Sequence, residues 1–179
     1  TDVCAILAGD PTNPIGLEDC DGDGEDNATE CANGTDPADP CSVTNATSQV
    51  DPMNPGSPEQ AAYDAWAAAD CDGDGETNGT EAGNGTDPFN PCDVTTATIP
   101  VDPMNPGSPE QTAYDTWAAA DCDGDGETNG TEAGNGTDPY NPCDVTVATI
   151  PTDPVNPGSP EQAAYDIWAA ADCDGDGET

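Results

Sequence analysis

The chain has 179 residues, of which 38 are Asp or Glu and none is Lys, Arg or His, giving a formal net charge of -38. No internal ion pair can relieve that repulsion, so a compact state needs added cations. Nucleic acid and anionic membrane surfaces are excluded as partners, because both are held through basic side chains. Three Trp, four Tyr and one Phe stand among 20 Gly and 19 Pro, too little apolar surface for one globular core, and such chains become ordered through metal or disulfides.

The chain is a repeat before it is anything else. Cys20, Cys71, Cys122 and Cys173 follow one another at a fixed interval of 51 residues, and Cys41, Cys92 and Cys143 keep the same interval, which predicts a linear array of units. In chain order the units are a short first insert (1–18), a loop segment (19–41), an insert (42–69), a second loop segment (70–92), an insert (93–120), a third loop segment (121–143), an insert (144–171) and the start of a fourth loop (172–179). That start, together with a first residue that does not open a signal peptide, predicts a segment of a longer repetitive polypeptide. No apolar run reaches the length of a membrane span, so direct membrane insertion is not expected.

Each loop segment opens on a calcium-loop template, which asks for carboxylates at positions 1, 3 and 5, Gly at 6, a backbone carbonyl at 7, a polar group at 9 and Glu at 12. Asp19, Asp21, Asp23, Glu25, Asn27 and Glu30 meet it in the first loop. Asp70, Asp72, Asp74, Glu76, Asn78 and Glu81 meet it in the second, and Asp121, Asp123, Asp125, Glu127, Asn129 and Glu132 in the third. Asp172, Asp174 and Asp176 begin a fourth. Calcium is the expected cofactor.

After each loop, the run NGTEAGNGTDP has Gly and Asn where a second helix would need helix formers, so a paired EF-hand is not expected. The stretch VTTATIPVDPMNPGSP predicts an extended strand or edge segment followed by polyproline or turns. Ser57, Pro58, Glu59 and Gln60 then form a capping-box start, and the Ala-rich run behind them predicts a helix from about Pro58 to Ala69. Tyr63 and Trp66 share one face of that helix and predict a local hydrophobic clamp. The first insert lacks both the Ser-Pro-Glu-Gln start and a Trp. The fold class read from this pattern is small, irregular and mostly loop: a linear array of calcium-binding loop repeats stapled by disulfides, each with one short helix and an extended segment in its insert.

The run DCDGDGETNGTEAGNGTDPFNPCD resembles the bacterial thrombospondin type 3 calcium repeat, over roughly half of the chain. The resemblance implies calcium-filled, elongated arrays without a conventional core, often stalks of surface or secreted proteins. It also implies that Asp36, Asp87 and Asp138 of the GTDP runs supply a further ligand, where an Asp-Pro turn is the simpler reading. In that family, tandem repeats without inserts join directly, so each insert has neighbouring ends. This favours pairing Cys41 with Cys71, Cys92 with Cys122, Cys143 with Cys173 and Cys4 with Cys20, which leaves Cys31 as a candidate for an intermolecular bond. The alternative pairs Cys20 with Cys41, Cys71 with Cys92, Cys122 with Cys143 and Cys4 with Cys31, and leaves Cys173 to a residue beyond position 179. Spacing leaves both open.

No CxxC pair and no His occur, so the cysteines point to an oxidising, extracellular compartment more simply than to zinc. Sequons at Asn33, Asn45, Asn84 and Asn135, and at the loop positions Asn27, Asn78 and Asn129, are N-glycan candidates. Thr95, Thr96 and Thr98 are O-glycan candidates. The expected function is an extracellular structural protein, a calcium-rigidified stalk, fibre or filament that self-associates or continues as a longer repetitive chain. The alternative is a calcium-dependent adhesin or a dockerin-like module presenting its aromatics. Catalysis is not expected from a chain without His, Lys or Arg whose carboxylate clusters all follow metal-loop spacing.

Overall fold

The computed structural model describes residues 3–146 and 151–173. Among these residues seven short helices and one 3-10 turn follow one another: α1 (Val3–Gly9), the 3-10 turn (Pro14–Leu17), α2 (Asn27–Asn33), α3 (Pro58–Ala68), α4 (Asn78–Asn84), α5 (Pro109–Ala119), α6 (Asn129–Asn135) and α7 (Pro160–Ala170). Three disulfides, Cys41–Cys71, Cys92–Cys122 and Cys143–Cys173, close the three helical inserts, and a fourth joins Cys4 to Cys31. The insert-closing pairs expected for the later units therefore form, but the first unit departs from that set. Cys31 is bonded, and Cys20 is the free thiol.

Helix α3 starts as its sequence dictates. Ser57 caps it by accepting from the Gln60 N–H, Pro58 opens it, and Glu59 lies in its first turn. The capping box is not reciprocal, however. Gln60 Oε1 accepts from the Asn54 N–H at 2.9 Å, while the Ser57 N–H donates to the Asn54 carbonyl. Trp66 and Trp117 are fully buried, and Leu7, Ala62, Ala113, Cys122 and Ala164 supply the rest of a very small core among the described residues. Those tryptophans are what clamp each helix to its loop.

A second helix follows each loop, against the sequence expectation. Helix α4 packs on α3, and α6 on α5. The Gly at the first interior position of these helices is a fitting residue, not a breaker: a Cβ on Gly79 would lie 2.8 Å from the Ala67 Cβ. The first unit exchanges the two residues, with Ala28 on α2 facing Gly16 in the 3-10 turn. Each exit helix then ends after two turns on a left-handed glycine, Gly34, Gly85 or Gly136. Tertiary contact between the two helices outweighs the poor helix propensity of NGTEAGN.

Among the described residues no strand forms. The stretch expected to be extended gives its donors to a side chain instead of to a ladder: the Thr95 and Thr96 N–H groups both donate to the Glu76 carboxylate. Successive units meet through these segments and through the loops. A Cβ on Gly22, Gly73 or Gly124 would fall 2.0 to 2.3 Å from the carbonyl oxygen of Ala62, Ala113 or Ala164 in the next helix, so each loop lies flat against the insert that follows it.

Candidate metal centre

The three loops fold alike. Asp70 Oδ1 and Oδ2 accept from the Gly73 and Gly75 N–H groups at 2.8 and 3.1 Å, curling the chain around the first carboxylate. Asp72 Oδ1 accepts from the Asp74 N–H, and Asp74 Oδ1 from the Glu76 N–H. The positive φ of Gly73 (81°) and Gly75 (93°) makes that curl, and only glycine adopts it without strain. Asp19 and Asp121 hold their loops by the same bonds.

What remains is a set of buried carboxylate oxygens with nothing to bind. Asp72 Oδ2, Asp74 Oδ2 and both oxygens of Glu81 have no hydrogen-bond partner, as do Asp21 Oδ2, Asp23 Oδ2 and both oxygens of Glu30, and Asp123 Oδ2, Asp125 Oδ2 and both oxygens of Glu132. Glu30, Glu81 and Glu132 are completely buried. In each triad, Asp19–Asp21–Asp23, Asp70–Asp72–Asp74 and Asp121–Asp123–Asp125, one oxygen per residue lies within 4.8 Å of the others. Each triad could hold a metal ion. An orphaned buried carboxylate is costly, so three identical sets of them need a common explanation. The donors are all oxygens, which fits a hard divalent cation better than a metal that prefers thiolate or imidazole.

Electrostatics point the same way. Burial, with the neighbouring carboxylates adding to it, pushes Glu30, Glu81 and Glu132 up to about 8. Asp72 is raised to about 8 and Asp21 and Asp123 to about 7 for the same reasons, while burial lifts Asp23 and Asp74 to about 6. In loops without a cation, burial thus disfavours the charged form of these carboxyl groups. A bound divalent ion inverts that preference.

The remaining sequence candidates divide into those that frame the triads and those that lie apart. At position 9, Asn78 is fully buried; its Oδ1 accepts from the Cys71 N–H and its Nδ2 donates to the Trp66 carbonyl. Asn129 repeats this with Cys122 and Trp117, and Asn27 donates to the Ile15 carbonyl. These amides bracket helix to loop. At position 7, the Glu25, Glu76 and Glu127 side chains accept from the hydroxyls of Thr44, Thr95 and Thr146, and Thr44 and Thr95 hold Glu25 and Glu76 below the usual carboxylate range. Asp36, Asp87 and Asp138 are exposed and cap their own Asp-Pro turns by accepting from the N–H two residues on. Asp174 and Asp176 lie outside the described residues, and Asp172 is exposed.

Sequence reasoning missed the grip of each insert on the loop before it. Gln49 Nε2 donates to the Asp23 carbonyl at 2.7 Å, and the Thr98 hydroxyl reaches the Asp74 carbonyl at 3.4 Å. The signal was present, since Thr44, Thr95 and Thr146 recur at the repeat interval. Among the sequons, the buried amides of Asn27, Asn78 and Asn129 are committed to the fold, whereas Asn33, Asn45, Asn84 and Asn135 are exposed. Thr95, Thr96 and Thr98 are exposed too, although Thr95 and Thr98 use their hydroxyls within the chain.

No family model, curated protein or solved structure matches the chain. Four disulfides indicate an oxidising, non-cytoplasmic environment, and no helix among the described residues is long and apolar enough to cross a membrane.

Proposed function

We propose that this chain is an extracellular structural protein, a stalk, fibre or filament of thrombospondin type 3-like units, in which calcium converts a repelling acidic polymer into an ordered array. The observation that carries the reading is the threefold set of buried, unpartnered carboxylate oxygens around the Asp triads. Asp70, Asp72, Asp74 and Glu81, with their counterparts in the other loops, would hold the ion. When bound, it supplies the positive charge that no side chain of this protein supplies. The chain's own part is to fix the carboxylates before binding, through the glycine turns, the asparagine brackets and, in the second and third loops, the disulfide at position 2. Extracellular modules of this type bind calcium with dissociation constants on the order of 0.1 to 1 mM.

Self-association is part of the proposal, as is a sugar coat at the exposed sequons. The apolar side chains Val50 and Met53, Val101 and Met104, and Val155 stand in solvent at matching places of successive units. They support lateral contact between arrays. The adhesin or dockerin-like reading loses its best surface, because Trp66 and Trp117 are wholly buried.

The test is a calcium titration of the intact chain followed by far-UV circular dichroism and calorimetry. Helix content and thermal stability rising as the sites fill, and falling on chelation, is the expected result. Magnesium-insensitive, calcium-insensitive spectra from folded protein would sink the reading.

A further inference from the structure

The second and third loop segments, residues 70–92 and 121–143, differ at one position only, Phe89 against Tyr140. The difference is a single hydroxyl, and the structure gives it a definite place. Trp117 Nε1–H donates to the Tyr140 hydroxyl oxygen at 3.1 Å. Trp117 is fully buried on α5, on the same face as the buried Ala113 one turn before it. The second loop is pressed against this stretch of α5, since a Cβ on its Gly73 would fall 2.2 Å from the Ala113 carbonyl oxygen. Tyr140 thus belongs to the third loop segment by sequence, while its hydroxyl is bonded to the helix on which the second loop lies.

Electrostatics identify what the hydroxyl faces. Burial raises Tyr140 above the usual tyrosine range, and the bond from Trp117 opposes that rise. The carboxylates that act on it most strongly are Asp74 and Asp72 of the second loop, ahead of Asp138 in its own segment. Asp72 and Asp74 are almost wholly buried, and the Oδ2 of each has no hydrogen-bond partner. A tyrosine hydroxyl has one hydrogen to give. Its oxygen already accepts from the indole, which leaves that hydrogen for the carboxylate side.

We propose that Tyr140 is a positioning residue for the second metal loop: anchored by Trp117, it turns its hydroxyl dipole toward Asp72 and Asp74 and raises the calcium affinity of that loop, not of its own. The proposal rests on the calcium reading above and adds to it a difference between sites. The hydroxyl acts as an outer-shell dipole, without a direct bond to either aspartate. Its positive end offsets the repulsion among Asp70, Asp72 and Asp74 and favours the arrangement an ion needs. One unit earlier, Trp66 and Phe89 occupy the matching positions, so the first loop lacks this contribution.

The test follows the amide signals of Gly24, Gly75 and Gly126 by 15N NMR while calcium is titrated into the full chain. Each of these N–H groups donates to the first aspartate of its own loop, so each reports its own site. Tyr140→Phe should raise the calcium midpoint read at Gly75 about tenfold, the lower end of what losing an outer-shell partner costs, and leave the midpoints at Gly24 and Gly126 in place. A general loss of stability would act first on the third loop, to which residue 140 is joined by its own segment. A Gly75 midpoint that stays put in Tyr140→Phe, or that moves only together with Gly126, therefore overturns the proposal. Phe89→Tyr gives a second reading in the opposite direction, and carries the test if Tyr140→Phe does not fold: the Gly24 midpoint should fall while the others hold, and an unmoved Gly24 overturns the proposal. Glycine signals that ignore calcium in every protein would sink the metal reading and this proposal with it, whereas calcium-dependent signals with an unmoved Gly75 sink this proposal alone.

Discussion

The indole Nε1–H of Trp117 donates to the hydroxyl of Tyr140 at 3.1 Å, and this bond separates two units that are otherwise near copies. In the preceding unit the matching position is Phe89, and Trp66 Nε1 is buried without a partner.

Phe89→Tyr should therefore stabilise the second unit. A buried donor that gains its partner contributes about 1 kcal/mol, provided the ring keeps its place. Calcium-loaded thermal unfolding should show a higher Tm for Phe89→Tyr and a lower one for Tyr140→Phe. Opposite signs would show that the indole is satisfied by some other group.

The exit helices can be improved at their start. Asp26 caps α2 by accepting from the Thr29 N–H at 2.8 Å, whereas Thr77 makes no side-chain cap for α4. Thr77→Asp should add about 1 kcal/mol in the presence of calcium, measured by denaturant midpoint at constant m. An unchanged midpoint would mean that added charge repulsion cancels the cap.

Coupling between neighbouring sites is expected from the loop-to-helix contact. In Gly73→Ala the new Cβ would fall 2.2 Å from the Ala113 carbonyl oxygen, at a φ of +81° that disfavours a side chain. The substitution should cost on the order of 2 kcal/mol or more and flatten the calcium isotherm, because filling the second loop would no longer order the insert leading into the third. An isotherm as steep as that of the natural chain, from a variant that remains folded, would show the sites to be independent.

Acid and base should act oppositely with and without metal. Glu30, Glu81 and Glu132 rise to about 8 in the folded, metal-free loops, against about 4.3 in an unfolded chain. An acid raised on folding keeps a proton that the unfolded form has lost. Metal-free stability is therefore full below about pH 4 and declines as the pH rises through about 8. Calcium competes with those protons, so its affinity should climb over the same interval and level off beyond it. Scanning calorimetry from pH 4.5 to 8.5 in EGTA and in calcium would reveal the two slopes, and parallel slopes would contradict the arrangement.

The first helix of each later insert and the clustering of the loop aspartates were legible because both are local: Ser57, Pro58 and the alanines set α3, and the Asp-x-Asp-x-Asp-Gly run needs only its own backbone to curl. The exit helix was not legible, because Gly79 reads as a breaker until Ala67 is seen against it. The same holds for Asn78, whose spacing suits a ligand but whose amide spans Cys71 and Trp66.

Composition and period, taken alone, determined that this chain is poor in apolar side chains, repeats one unit at a fixed interval and has no basic side chain to offset its 38 acidic groups. Those properties are sums over residues and survive any arrangement of them. Tertiary structure decided which sulfurs meet and which carboxylate oxygens are left unpartnered, since the first depends on distances between segments some thirty residues apart that spacing does not fix.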